Sequence, residues 1–148
     1  GPSAGVSLFA SLISAAISRP VASDLAMTGE ITTLGEVCAI GGVREKLTAC
    51  KNRNISRVIL PLANKKNVKK LPDEFKRGFT IYYVTNIKQL YEVCFPSEEH
   101  QDKVNTSSFN EKLESMNVEI DSFEADDFHK VVFEGETIEQ ANKIELLF

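Results

Sequence analysis

The sequence predicts an α/β (α+β) domain, and three observations carry that prediction. Between Ala4 and Ser18 the apolar residues Leu8, Phe9, Leu12, Ile13, Ala16 and Ile17 recur at helical spacing. Two short runs, Arg57-Val58-Ile59-Leu60-Pro61 and Phe79-Thr80-Ile81-Tyr82-Tyr83-Val84, are β-branched and aromatic as strands are. Helical patterns lie between and after these runs. The resulting alternation of helix, strands, helix, strand, helix, strand and helix describes a sandwich-like domain ending near Phe95-Pro96.

The first helix is expected to stop at Arg19-Pro20, because a residue before proline is pushed out of the helical region. Ser23-Asp24 then offer acceptors for a turn. Residues 26–40 hold two short extended pieces around Gly29 and Gly35, the second being Glu36-Val37-Cys38-Ala39-Ile40, which suggests a hairpin. Gly41-Gly42 breaks that strand, and Val43 to Lys51 reads as a helix. Asn54 is expected to take the left-handed conformation that ends it. Pro61 closes the next strand, Asn64 is expected to cap a helical turn over Lys65–Leu71, and Pro72-Asp73 starts another segment. Asn86 is expected to cap a helix from Ile87 to Cys94 with Leu90 and Val93-Cys94 facing inward.

Beyond Pro96 the character changes. Residues 1–96 hold 13 of the 17 Lys+Arg and 7 of the 21 Asp+Glu, a balance of +6. The remaining 4 and 14 fall in residues 97–148, a balance of −10. The break predicts a domain over 1–96 and an acidic C-terminal extension over 97–148 whose role is open. Within the extension, Ser97–Asn110 reads as a linker. Val118-Glu119-Ile120 and Val131-Val132-Phe133 are strand candidates, and Ile138–Phe148 reads as an amphipathic helix.

Composition excludes several functions. At 148 residues the chain can bury a real core, roughly 70% of its unfolded surface. The basic side chains are too dispersed to indicate nucleic acid. The one cluster, Lys65-Lys66-Asn67-Val68-Lys69-Lys70, reads as a solvated face. Cys38, Cys50 and Cys94 form an odd set without CxxC spacing, which points to a reducing compartment and buried thiols, with neither a disulfide frame nor a zinc site. His100 and His129 both lie in the acidic extension and read as surface residues. Val6 to Val21 resembles a secretory apolar segment, but nothing basic precedes it, and it is too short and serine-rich to span a bilayer. The absence of an initiator Met makes the chain read as a fragment, a processed product or a tagged chain, with Gly1-Pro2-Ser3 taken as native.

Three side chains suggest chemistry when taken together. A serine hydroxyl is a weak nucleophile until a base removes its proton, and a lysine is a base only as the neutral amine. An ordinary lysine, with a pKa near roughly 10.4, is charged at neutral pH, so burial must disfavour that charge. Around Lys46, the residues Ile40, Val43 and Leu47, with the small side chains after Ser3, would supply an apolar setting. Ser3 at a helix start gains backbone N–H groups that suit an oxyanion. Taken singly, Ser3 is an N-cap, Lys46 a solvent-facing helix residue and Thr28 a turn former.

Gly1-Pro2-Ser3-Ala4-Gly5, Ala26-Met27-Thr28-Gly29-Glu30-Ile31-Thr32, Gly41-Gly42-Val43-Arg44-Glu45-Lys46 and Val58-Ile59-Leu60-Pro61 with Asn64-Lys65-Lys66 occur in one order over residues 1–96. Together they resemble the proteolytic domain of the Lon family of ATP-dependent serine proteases, with a mitochondrial-type ending over Tyr91–Pro96. The resemblance implies a Lon protease-domain fold lacking its N-terminal portion. It also implies a serine endopeptidase that degrades unfolded or damaged proteins. Carried onto this sequence, Ser3 is the nucleophile, Lys46 the general base, Thr28 the group that orients Lys46, and the Ala4 amide an oxyanion donor. No metal is implied. ATP and Mg²⁺ would act through an ATPase domain of the AAA+ type in the same parent chain, since no G-x-x-x-x-G-K-[ST] loop occurs here. The resemblance further implies a hexamer, unfolded protein substrates and no membrane. Its intracellular setting is the mitochondrial matrix first, with cytoplasm or peroxisome as alternatives.

Five departures stand against the family pattern. The acidic residue before Gly1 and the upstream half of the domain are missing. Ala39 replaces a common proline, Asn54 a common glycine, and Arg44 a lysine. The three substitutions leave the chemistry untouched, but the missing upstream strands would carry the substrate and wall the site, so little or no peptidase activity is expected of residues 1–148 alone. The alternative reading is a non-catalytic Lon-like module for assembly or binding, as in some ATPase-associated DNA-repair proteins.

Overall fold

A computed structural model describes residues 1–97 and 128–135. A single 3₁₀ turn, Pro2–Ala4, leads into α1 (Gly5–Ile17). The chain continues through β1 (Leu25–Met27), β2 (Glu30–Ile31), β3 (Val37–Cys38), α2 (Val43–Asn52) and β4 (Arg57–Pro61). After a second 3₁₀ turn, Leu62–Asn64, come α3 (Lys65–Lys69), α4 (Asp73–Lys76), β5 (Thr80–Val84) and α5 (Ile87–Cys94). The last described element is β6 (His129–Val132). Helices and a mixed sheet together make the α/β architecture that the sequence predicts.

The main sheet has the order β1-β4-β5-β6. β1 and β4 are parallel, as are β4 and β5, whereas β6 runs antiparallel to β5. Helices cover both faces, which explains why β4 and β5 read as unbroken apolar runs. Alternate side chains of each strand enter opposite cores. Ile59, Tyr82 and Val84 pack with Val6 and Ala10 of α1 and with Leu90 and Val93 of α5. Val58, Leu60, Ile81 and Tyr83 pack with Val43 and Leu47 of α2 and Val68 of α3.

Several local expectations hold. Asn86 caps α5 by accepting from the Gln89 amide at 3.0 Å. Asn54 has a left-handed φ of 58°. α1 ends at Ile17, just before the expected breaker pair, with Ser18 in the left-handed conformation. Three expectations need correction, one of them the capping role of Asn64, whose side chain makes no capping bond to α3. The inward face of α1 is Val6 and Ala10, with Phe9 and Ile13 beside them, while Leu8 and Leu12 are 63% and 62% exposed. Because α1 is apolar nearly all round, periodicity alone does not select its buried face. Residues 26–40 also divide between two sheets. β2 and β3 form the expected hairpin, but β1 leaves it to pair with β4.

β6 comes from the acidic extension and completes the main sheet. Phe128 is buried to 8% exposure, and its ring lies 6.1 Å from that of Tyr82. Val131 and Phe133 pack on the opposite core. The Phe133 amide donates to the Phe79 carbonyl and the Gly78 amide to the Phe133 carbonyl, each at 2.9 Å. The strand expected around Val131–Phe133 thus exists as His129–Val132, and His129 is exposed. The expected linker from residue 98 on, the strand candidate Val118–Ile120 and the helix Ile138–Phe148 lie outside the described residues.

Candidate active site

At the end of β1 the chain crosses from one sheet to the other, and this crossing builds the site. The Thr28 amide donates to the Ile59 carbonyl at 3.2 Å, extending the β1–β4 ladder by one bond. The Gly29 amide then turns to the Ser3 carbonyl at 2.9 Å, and the Val6 amide donates to the Gly29 carbonyl at 3.2 Å. These bonds fasten the turn carrying Ser3 onto the Thr28–Gly29 crossing. The crossing is tight at Gly29, where an added Cβ would stand 2.9 Å from Val6 Cγ1 and 3.0 Å from Val37 Cγ1.

Lys46 arrives on α2. Gly42 opens that helix in the left-handed conformation with φ 68°, a backbone state suited to glycine. The Lys46 amide makes an early helical bond to the Gly42 carbonyl at 3.0 Å. Its half-buried side chain reaches across to β1, where Nζ donates to Thr28 Oγ1 at 3.0 Å. Thr28 Oγ1 in turn donates to the Ser3 carbonyl oxygen at 3.2 Å. Among the described residues, Ser3 and Lys46 are linked through Thr28 rather than by a direct hydrogen bond.

A cavity of about 290 Å³ opens at this junction, with Ser3, Ala4, Thr28 and Lys46 in its wall. The remaining lining, Ser7, Ala26, Met27, Ala49, Cys50 and Val58, is small or apolar. Ser7 lies one turn beyond Ser3 on α1, and Cys50 one turn beyond Lys46 on α2, so helical spacing from the two motif residues is the signal that finds both. The motifs themselves do not include them. Burial pushes the Cys50 thiol up from its ordinary value, against a smaller opposing pull from Arg53. The Ala4 amide, expected to face an oxyanion, donates to the Gly1 carbonyl at 3.0 Å within the 3₁₀ turn. The Gly5 amide is held likewise by the Pro2 carbonyl.

Elsewhere the described residues hold no group of three or more His, Cys, Asp and Glu side chains that could bind a metal ion. No described helix is long and apolar enough to cross a membrane. Cys38, Cys50 and Cys94 are free thiols, of which Cys94 is buried as expected while Cys38 and Cys50 are only partly buried.

Residues 1–97 match the family model of the Lon protease (S16) C-terminal proteolytic domain. The chain belongs to the Lon protease family. It is 43% identical over 97 residues to the mitochondrial Lon protease homolog of Phaeodactylum tricornutum, a span of 66% of this chain and 11% of that protein. It is 42% identical over 100 residues to mitochondrial Lon protease homolog 1 of Dictyostelium discoideum, covering 68% and 10%. With the Lon protease of Porphyromonas gingivalis the identity is 38% over 114 residues, covering 77% and 14%. The chain thus spans about a tenth of the length of the Lon relatives it matches. β6 lies beyond the residues matched by the Lon family model.

Proposed function

We propose that this chain forms the C-terminal part of the proteolytic domain of a Lon-type serine endopeptidase, with Ser3 as nucleophile and Lys46 as general base. The observation that carries the reading is the relay from Lys46 Nζ through Thr28 Oγ1 to the Ser3 backbone in one cavity. A neutral amine has two N–H donors and one lone pair. Thr28 spends its own proton on the Ser3 carbonyl, so toward Lys46 it acts as an acceptor. One lysine N–H is thereby fixed, and the lone pair remains to accept the Ser3 hydroxyl proton.

Acylation then balances simply. Ser3 Oγ attacks the scissile carbonyl carbon as its proton passes to Lys46 Nζ. The tetrahedral intermediate collapses with cleavage of the C–N bond, and Lys46 returns that proton to the leaving amine. Water attacks the resulting ester by the same exchange and frees Ser3. The Ala4 amide serves the oxyanion once it releases the Gly1 carbonyl, so substrate binding opens the Pro2–Ala4 turn.

The same proposal extends to the parent protein. The small share of each relative covered here favours a longer parent protein, and membership of the Lon family supports reading that parent as a hexamer whose ATPase part feeds it unfolded protein. Relatives named mitochondrial favour the mitochondrial matrix, although bacterial relatives match as well.

Reaction of the intact protein with a fluorophosphonate, read by intact mass, tests the dyad. Labelling is expected in the wild type, and it is expected to be lost in Ser3→Ala and Lys46→Met. Undiminished labelling or peptidase activity in Ser3→Ala would overturn Ser3 as the nucleophile, and no labelling of the wild type would favour a non-catalytic assembly module.

A further inference from the structure

Residue type and position suit Asn64 to capping α3, but its side chain makes no capping bond. It is instead one of the most deeply buried polar groups described, at 2% exposure. Its Oδ1 accepts from the Ile40 amide at 2.9 Å, and its Nδ2 donates to the Ile40 carbonyl at 2.9 Å. The second Nδ2 proton goes to Asn67 Oδ1 at 3.0 Å. One planar amide therefore satisfies both backbone groups of Ile40, as a neighbouring strand would.

Ile40 stands at the entry to α2. After it the chain passes Gly41, where an added methyl group would meet nothing within 4 Å, and the left-handed Gly42. α2 itself has no side-chain cap. The helix is seated by Val43 and Leu47 in the core, and its approach is held by Asn64. Lys46 sits one turn inside that entry and must meet Thr28, at the end of β1, within hydrogen-bond distance.

We infer that Asn64 is a positioning residue for Lys46. It clamps the Ile40–Gly42 segment to the end of β4, and this fixes the register in which α2 delivers the amine to Thr28. The inference rests on the Ser3–Lys46 reading above. The chemistry demands a short side chain with a donor and an acceptor in one plane. Asp would set an oxygen against the Ile40 carbonyl, and Leu would leave both Ile40 groups without partners.

The test compares peptidase kinetics of the intact protein for wild type, Asn64→Leu and Ser3→Ala. Hydrogen exchange of the peptide spanning residues 39–43 is followed alongside. In Asn64→Leu, kcat is expected to fall on the order of 10²-fold, the cost of a misplacement near 1 Å, with KM little changed and faster exchange over 39–43. Val93→Ala, on α5 in the core it shares with α1, supplies a control of lowered stability. A retained kcat despite faster exchange at 39–43 would overturn the inference, as would an equal kcat loss in Val93→Ala at matched Tm. If Asn64→Leu does not fold, Asn64→Asp carries the same comparison. An active Ser3→Ala would sink the dyad and the positioning role together; an inactive Ser3→Ala beside a fully active Asn64→Leu would sink the positioning role alone.

Discussion

Lys46 Nζ and Thr28 Oγ1 lie 3.0 Å apart, although one belongs to a helix and the other to the end of a strand 18 residues earlier. Removing the hydroxyl should free the amine to rotate while leaving Ser3 in the cavity. Thr28→Val is expected to lower kcat roughly 10- to 100-fold, and Thr28→Ser to restore most of it. Steady-state kinetics on a fluorogenic peptide with the intact protein checks this. An unchanged kcat in Thr28→Val would remove Thr28 from the relay.

A Cβ on Gly29 would crowd Val6 Cγ1 at 2.9 Å and Val37 Cγ1 at 3.0 Å, so both side chains would have to shift. Gly29→Ala should force those side chains apart and destabilise the domain by about 1–3 kcal/mol, the range for an overpacked core. Urea unfolding of the variant measures the loss directly. Because Val6 also holds the Ser3 turn through the Gly29 carbonyl, the reaction of Ser3 with the fluorophosphonate should slow as well.

Phe128 is expected to matter although it lies far from the site in sequence. Its ring closes over Tyr82, which also meets the Arg57 guanidinium and the Lys130 ammonium at 5.7 and 5.9 Å. Phe128→Ala should cost about 3 kcal/mol, the low end for a buried phenylalanine. A midpoint shift in urea with an unchanged slope would fit this expectation. No shift would mean that β6 does not hold the sheet.

Alkaline pH should weaken the fold. Burial pushes the Cys94 thiol from its ordinary 9.0 up to about 12, with a smaller opposing pull from Arg57. Burial likewise pushes the Tyr83 hydroxyl from 10.0 up to about 12. Both groups then keep their protons in the folded state where the unfolded chain has lost them. Their contribution is fully present below pH 9 and is lost as pH rises toward 12. Each group contributes a slope of up to about 1.4 kcal/mol per pH unit. Urea midpoints between about pH 8 and 11 should fall, and Cys94→Ala should flatten part of that fall.

Elements governed by neighbours in sequence are the legible ones. Pro61 is the last residue of β4, and Asn86 starts α5 through its bond to the Gln89 amide; both are readable from residue type. Ser3, Thr28 and Lys46 stand out through the order of their motifs, and the fold brings them to one cavity. Asn64 escapes a local reading because its partner, Ile40, lies 24 residues upstream, whereas a capping site lies next to it in sequence. The division of residues 26–40 between two sheets depends on Ile59, and the antiparallel place of β6 depends on β5. Neither partner is visible from local pattern. The buried face of α1 is illegible for the opposite reason, since nearly every face of it is apolar.

β6 also sets an order in time. β5 is finished at Val84, yet its outer edge finds a partner only when residues 129–132 have been made. At roughly 5–20 residues per second, a nascent chain carries that open edge for about 2–10 s. An unpaired, apolar strand edge is a template for wrong pairing with another chain. Until residues 129–132 exist, then, the outer edge of β5 has no β6 to pair with, and the interval is set by the length of chain between the two strands.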